Sequence, residues 1–103
     1  MILHMIDNLV DLENTIQDGD LVVEFYATWC GACKNAAPVY EKISNEHDNI
    51  EFYKIDIDTN RSAIKKLGIK SLPTFVFYHD GEKIDEVIGM NKNQLEEIIK
   101  SYA

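Results

Sequence analysis

The chain has 103 residues, 46% of them hydrophobic, and a formal net charge of −8 from 10 basic and 18 acidic side chains. That length suits a single domain, and a domain of this size buries roughly two-thirds of the surface its unfolded chain exposes, so it needs no disulfide merely to fold. The acidic balance argues against a nucleic-acid backbone or an anionic membrane as the main partner, and favours partners with basic rims.

Residues 1–15 show no basic stretch, apolar core or small-residue cleavage site, so no secretory signal is expected; nowhere does a run approach the ~18 apolar residues of a membrane span. ILHMI (2–6) predicts a short strand. Asn8 is placed to cap a helix with Leu9, Leu12 and Ile16 on one face, ending near Gly19. LVVEFYA (21–27) is nearly all apolar and predicts a central strand. Residues 30–47 predict a helix with Val39, Tyr40 and Ile43 inward, kinked at Pro38 because proline lacks an N–H and crowds the preceding turn. IEFYKIDI (50–57) predicts the next strand. NRSAIKKLG (60–68) predicts a short helix with Asn60 as its cap and Gly68 just past its end. PTFVFYH (73–79) and EKIDEVI (82–88) are strands joined by Asp80-Gly81, a strong hairpin signal. Asn91 or Asn93 opens a last helix that buries Leu95, Ile98, Ile99 and Tyr102. The order βαβαβαββα predicts an α/β fold over 1–103: a mixed five-stranded central sheet flanked by four helices on both faces. Helical links imply parallel pairings, and the hairpin adds an antiparallel edge.

Cys30 and Cys33 are the only cysteines. Cys30 falls where strand gives way to helix. The first amides of a helix have no internal partners, and with the helix dipole they stabilise a thiolate there. Such a cysteine has a depressed pKa and attacks disulfides. Cys33 lies one turn deeper, on the same side, placed to resolve a mixed disulfide on Cys30. A closed zinc site needs four ligands, and His4, His47 and His79 are not paired at ligand spacing. An inert staple is disfavoured as well, because so short a loop removes little entropy from the unfolded chain. A redox pair without a signal fits a reducing compartment.

VEFYATWCGACKNAAP (23–38) resembles the active-site segment of the thioredoxin family, V-[DE]-F-[WY]-A-x-W-C-G-P-C-K-x-x-x-P. The resemblance extends through KIDID (54–58), GIKSLPTFVFY (68–78), DGEKIDEVIG (80–89) and the final helix, and covers almost the entire chain. It implies the thioredoxin fold and reduction of protein disulfides by dithiol–disulfide exchange. Cys30 would attack and Cys33 resolve. Trp29, Gly31 and Ala32 would shape the docking surface, although a large aromatic can also be plain core. Pro73 matches the family's cis-proline, leaving the amide and carbonyl of Leu72 free to pair with an extended substrate backbone. Gly89 matches a glycine near that surface, or simply ends a strand. Glu24 would accept the proton of Cys33, with Lys54 beside it. Two positions depart from the family pattern. Glu24 is one methylene longer than the usual Asp, so its carboxyl reaches Cys33 or swings toward Lys54 or solvent. Ala32 replaces proline, which predicts a looser turn and a less reducing pair.

The resemblance further implies no bound cofactor and no metal. The partners are disulfide-containing proteins and a flavin-dependent thioredoxin reductase that draws on NADPH. A cytoplasmic monomer is expected. Two rival readings are a thiol oxidase or isomerase of an oxidising compartment, and a binding module that uses the fold as a docking surface without redox chemistry.

Overall fold

A computed structural model describes residues 3–102, the Ala63 side chain excepted. Among these residues the elements are β1 (Leu3–Ile6), α1 (Leu9–Thr15), β2 (Asp20–Tyr26), α2 (Gly31–Glu46), β3 (Glu51–Asp56), α3 (Arg61–Leu67), β4 (Thr74–His79), β5 (Glu82–Ile88) and α4 (Lys92–Ser101). They agree with the sequence reading in kind and order. Ile2, read as the start of the first strand, lies outside the described residues.

Local chemistry fixes the ends of these elements. Asn8 Oδ1 accepts the Asp11 amide at 2.9 Å, and Asn91 Oδ1 accepts the Gln94 amide at 3.1 Å, each satisfying an orphan donor at a helix start. The hairpin turn places Asp80 at φ 46° and Gly81 at φ 91°, the paired positive angles that match strand twist. Asn60 departs from expectation. Its side chain does not cap α3 but donates to the carbonyls of Asp7 at 2.9 Å and Asp56 at 3.2 Å. Buried loop carbonyls need a donor, whereas the first amides of α3 can turn to water.

The sheet runs β1-β3-β2-β4-β5. β1 and β2 both pair parallel with β3, while β2–β4 and β4–β5 are antiparallel. The parallel pairing expected across α3 is therefore corrected. Helix length does not decide this, since α1 has seven residues, as α3 does, yet joins the parallel strands β1 and β2. After β3 the chain crosses at the end where β3 leaves, so β4 enters there and runs the opposite way.

β2 lies at the centre and divides its side chains between two cores. Leu21, Val23 and Phe25 pack with Ile55, Val76 and Tyr78 beneath α1 and α3. Val22 packs with Phe52, Phe75, Phe77 and the inner faces of α2 and α4. Strand alternation puts Glu24 on the second face with Val22. Tyr40 fastens α2 to the sheet: its hydroxyl donates to the Tyr53 carbonyl at 2.8 Å, and its ring meets Phe75 with centroids 5.1 Å apart. Ile43 is fully buried and Val39 partly so, while Pro38 sits inside α2 without ending it. On α4, Leu95 and Ile99 are buried; Ile98 and Tyr102 are only partly covered, because they lie toward the rim of this second core. One end of the sheet thus gathers the exits of β2 and β3, the entry of β4 and the start of α2.

Candidate active site

After Tyr26 the chain turns into α2. The Cys30 amide donates to the Ala27 carbonyl at 3.2 Å, and Cys30 becomes the N-cap of α2 with extended backbone, φ −82° and ψ 113°. Its Sγ accepts the Cys33 amide at 3.1 Å, where an N-cap oxygen would ordinarily sit. The two cysteines form a disulfide, with Cα atoms 5.2 Å apart. When the bond opens, the same amide and the helix dipole act on the Cys30 sulfur and favour its ionised form.

The two sulfur-bearing residues border different spaces. Cys30 lines a groove of about 310 Å³ together with Trp29, Ile57, Ile64, Ile69 and Leu72. Cys33 lines a second cavity of about 240 Å³ with Glu24, Tyr26, Lys34, Ala37 and Lys54. Cys30 is only 9% exposed and Cys33 4%. Both sulfur-bearing residues are thus largely enclosed, and the groove is the opening beside Cys30.

Trp29 is 66% exposed and so is not a core aromatic. Its Nε1 donates to Asp58 Oδ2 at 2.6 Å, while the Asp58 amide donates to Asp56 Oδ1 at 2.9 Å. The indole is held as one wall of the groove. Gly31 and Ala32 are exposed beside it at the start of α2. Across the groove the Leu72–Pro73 bond is cis. The Pro73 carbonyl accepts the Gly89 amide at 2.8 Å, whereas neither backbone group of Leu72 is bonded among the described residues. Gly89 has φ 78°, and a Cβ there would meet nothing within 4 Å among the described residues. The glycine answers a backbone need, and the space above it stays open to an approaching chain.

Glu24 is 1% exposed, and its Oε1 has no hydrogen-bond partner among the described residues. Lys54 is its register neighbour on β3. The Lys54 ammonium lies 4.3 Å from the Tyr26 ring centroid and forms no ion pair with Glu24. The extra methylene of Glu24 therefore carries its carboxyl neither to solvent nor into a salt bridge. Burial raises its pKa from 4.5 to about 7, and the positive charge of Lys54 opposes that rise. Lys54→Met should move the Glu24 midpoint further upward. A ¹³C titration of the Glu24 carboxyl in the oxidised protein reads this directly, and an unmoved midpoint would remove Lys54 from the site's electrostatics.

Ten residues were singled out from sequence. Trp29, Cys30 and Leu72 line the groove, Gly31, Ala32 and Pro73 adjoin them in the chain, and Gly89 bonds to the Pro73 carbonyl; Cys33, Glu24 and Lys54 line the second cavity. Tyr26, Asp58 and the isoleucine floor were missed. Tyr26 had a usable signal, since it follows Glu24 by two positions on one strand and so shares its face. Asp58 had none, because its partner Trp29 lies 29 positions away. Among the described residues no three His, Cys, Asp or Glu side chains converge as a metal site.

A family model described as Thioredoxin matches residues 6–101. Thioredoxin Asp f 28 of Aspergillus fumigatus is 39% identical over 99 residues, covering 95% of this chain and 92% of its own. Thioredoxin-1 of Schizosaccharomyces pombe is 42% identical over 85 residues, 82% of each chain. Among solved structures, the thioredoxin of Malassezia sympodialis superposes with a TM-score of 0.89 at 34% identity, over 99% of this chain and 94% of that one. Mitochondrial thioredoxin 3 of Saccharomyces cerevisiae, in its oxidised form, gives 0.87 at 36% identity, over 95% and 93%. Agreement across nearly the whole length, rather than a shared motif alone, shows that the chain belongs to the thioredoxin family of dithiol–disulfide oxidoreductases.

Proposed function

We propose that the chain works in the reducing direction, on disulfides of protein substrates, in the cytoplasm. A flavin-dependent thioredoxin reductase drawing on NADPH would return the pair to its dithiol. The observation that carries the division of labour is that Cys30 faces the open groove while Cys33 faces the Glu24 cavity. Thiolate Cys30 attacks one sulfur of a substrate disulfide; that bond breaks, a mixed disulfide forms, and the second substrate sulfur leaves as a thiolate. Cys33 passes its proton toward Glu24 and attacks Cys30 Sγ. The mixed disulfide breaks, the remaining substrate sulfur leaves, and Cys30–Cys33 is left oxidised. Two electrons have moved to the substrate, whose two thiolates take up protons. A carboxyl with its pKa near 7 is matched to that transfer at neutral pH.

The oxidase reading differs by potential. Equilibration with a glutathione buffer should place the pair nearer roughly −270 mV than roughly −180 mV, the values typical of a reductant and an isomerase. A value at the isomerase end would reverse the proposed direction. Ala32 bears on the same measurement. Proline at that position would restrict the open dithiol turn and ease ring closure, by about 0.4–1 kcal/mol in the usual range for such substitutions. Ala32→Pro should therefore make the pair more reducing by about 10–20 mV. A wild-type potential at or below the variant's would refute that effect.

A further inference from the structure

Charge along this chain is uneven in a way that bears on the groove. Residues 59–79 hold four of the ten basic side chains, Arg61, Lys65, Lys66 and Lys70, and none of the eighteen acids, a local charge of +4. The remaining residues hold six basic and eighteen acidic side chains, or −12. The basic segment builds one side of the groove: Ile64, Ile69, Lys70 and Leu72 all line it. Arg61 and Lys65 stand one turn apart on α3, next to Ile64, and with Lys70 they are exposed. Among the described residues these three form no ion pair, whereas Lys66 turns to Glu13 of α1 at 3.4 Å. Trp29 also lines the groove, its indole N–H held by Asp58.

We infer that the groove selects disulfides whose flanking residues are acidic on the side lying over α3, with Lys70, Lys65 and Arg61 receiving them. The inference rests on the redox reading and names its substrate class. The net charge of −8 points the other way, toward basic partners. Range decides between the two. At physiological ionic strength the screening length is about 8 Å, so charges beside the bound segment outweigh those across the molecule. Screened surface pairs are individually weak, so the effect is a preference rather than a gate.

The experiment compares three peptides bearing the same disulfide with acidic, neutral or basic flanks. At about 0.05 M salt the acidic peptide should exceed the neutral one about five-fold in kcat/KM, through KM, as two or three weak pairs would give. The advantage should vanish at about 0.5 M salt, invert in Lys70→Glu, and persist in Lys92→Glu, an exposed change on α4. Equal rates for the three peptides in the wild type would overturn the inference. So would an acidic preference that survives in Lys70→Glu with Lys65→Gln. A patch meant for nucleic acid would instead show inhibition by an oligonucleotide with no acidic-peptide advantage. The neutral peptide separates the two levels: its reduction continues in every lysine variant, whereas failure of the redox reading would abolish it in the wild type.

Discussion

Cys30→Ser should abolish disulfide reduction, with a fall of about 10⁴-fold or more, while leaving the protein folded. The expectation follows from where the sulfur sits. Cys30 caps α2 and accepts the Cys33 amide, so the helix entrance can stabilise an ionised sulfur there. A serine hydroxyl makes an equally good cap, so the fold does not depend on sulfur at this position. It does not ionise near neutral pH, and so supplies no nucleophile. Cys33→Ser should behave differently. It leaves attack intact but blocks resolution, so covalent mixed disulfides with substrate proteins accumulate and resolve only on added dithiol. Mass spectrometry of the trapped adducts should place every bridge on Cys30. Bridges on residue 33 in the Cys30→Ser protein, or normal turnover by either variant, would reverse or remove the assigned roles. Full biological function after Cys30→Ser would favour the binding-module reading.

Much of the site was legible because its parts are local in sequence. The strand-to-helix junction, the two cysteines one turn apart and the aromatic beside them fall within five residues. Pro73 and Gly89 were readable only through the family resemblance, since nothing near them in sequence points toward the cysteines. The antiparallel pairing of β4 with β2 was misread, because the strand–helix–strand pattern does not encode how far a helix travels. Asn60 was misread for a similar reason. A cap residue before a helix is a local signal, but Asn60 answers the Asp7 carbonyl 53 positions away. The groove-lining Ile57, Ile64 and Ile69 carried no signal of their own, because apolar residues lining a surface cleft have the same periodicity as those buried under it.

Glu24 should make the folded protein less stable as pH rises through neutrality, and Glu24→Gln should remove that dependence. The folded carboxyl has its pKa raised from 4.5 to about 7. Below the lower value both folded and unfolded forms are protonated, and the residue contributes nothing to pH dependence. Between the two values the folded protein keeps a proton that the unfolded chain releases, so stability declines with rising pH. Above the upper value the full penalty stands, about 3 kcal/mol for a shift of this size. The cause is geometric: a carboxylate 1% exposed, with an unpartnered oxygen and a lysine held over Tyr26 rather than against it. Denaturant unfolding of both oxidised proteins at about pH 4 and about pH 8 isolates the effect, because every other titrating group is common to the two. The stability difference between wild type and Glu24→Gln should change by about 3 kcal/mol across that interval, in favour of the variant at high pH. Parallel pH curves would show that the carboxyl is solvated. Catalysis supplies the second readout. If Glu24 takes the Cys33 proton, Glu24→Gln slows resolution of the mixed disulfide near neutrality and flattens its pH–rate profile. A stability change without that kinetic change would leave Glu24 as a destabilising buried acid with no part in proton transfer.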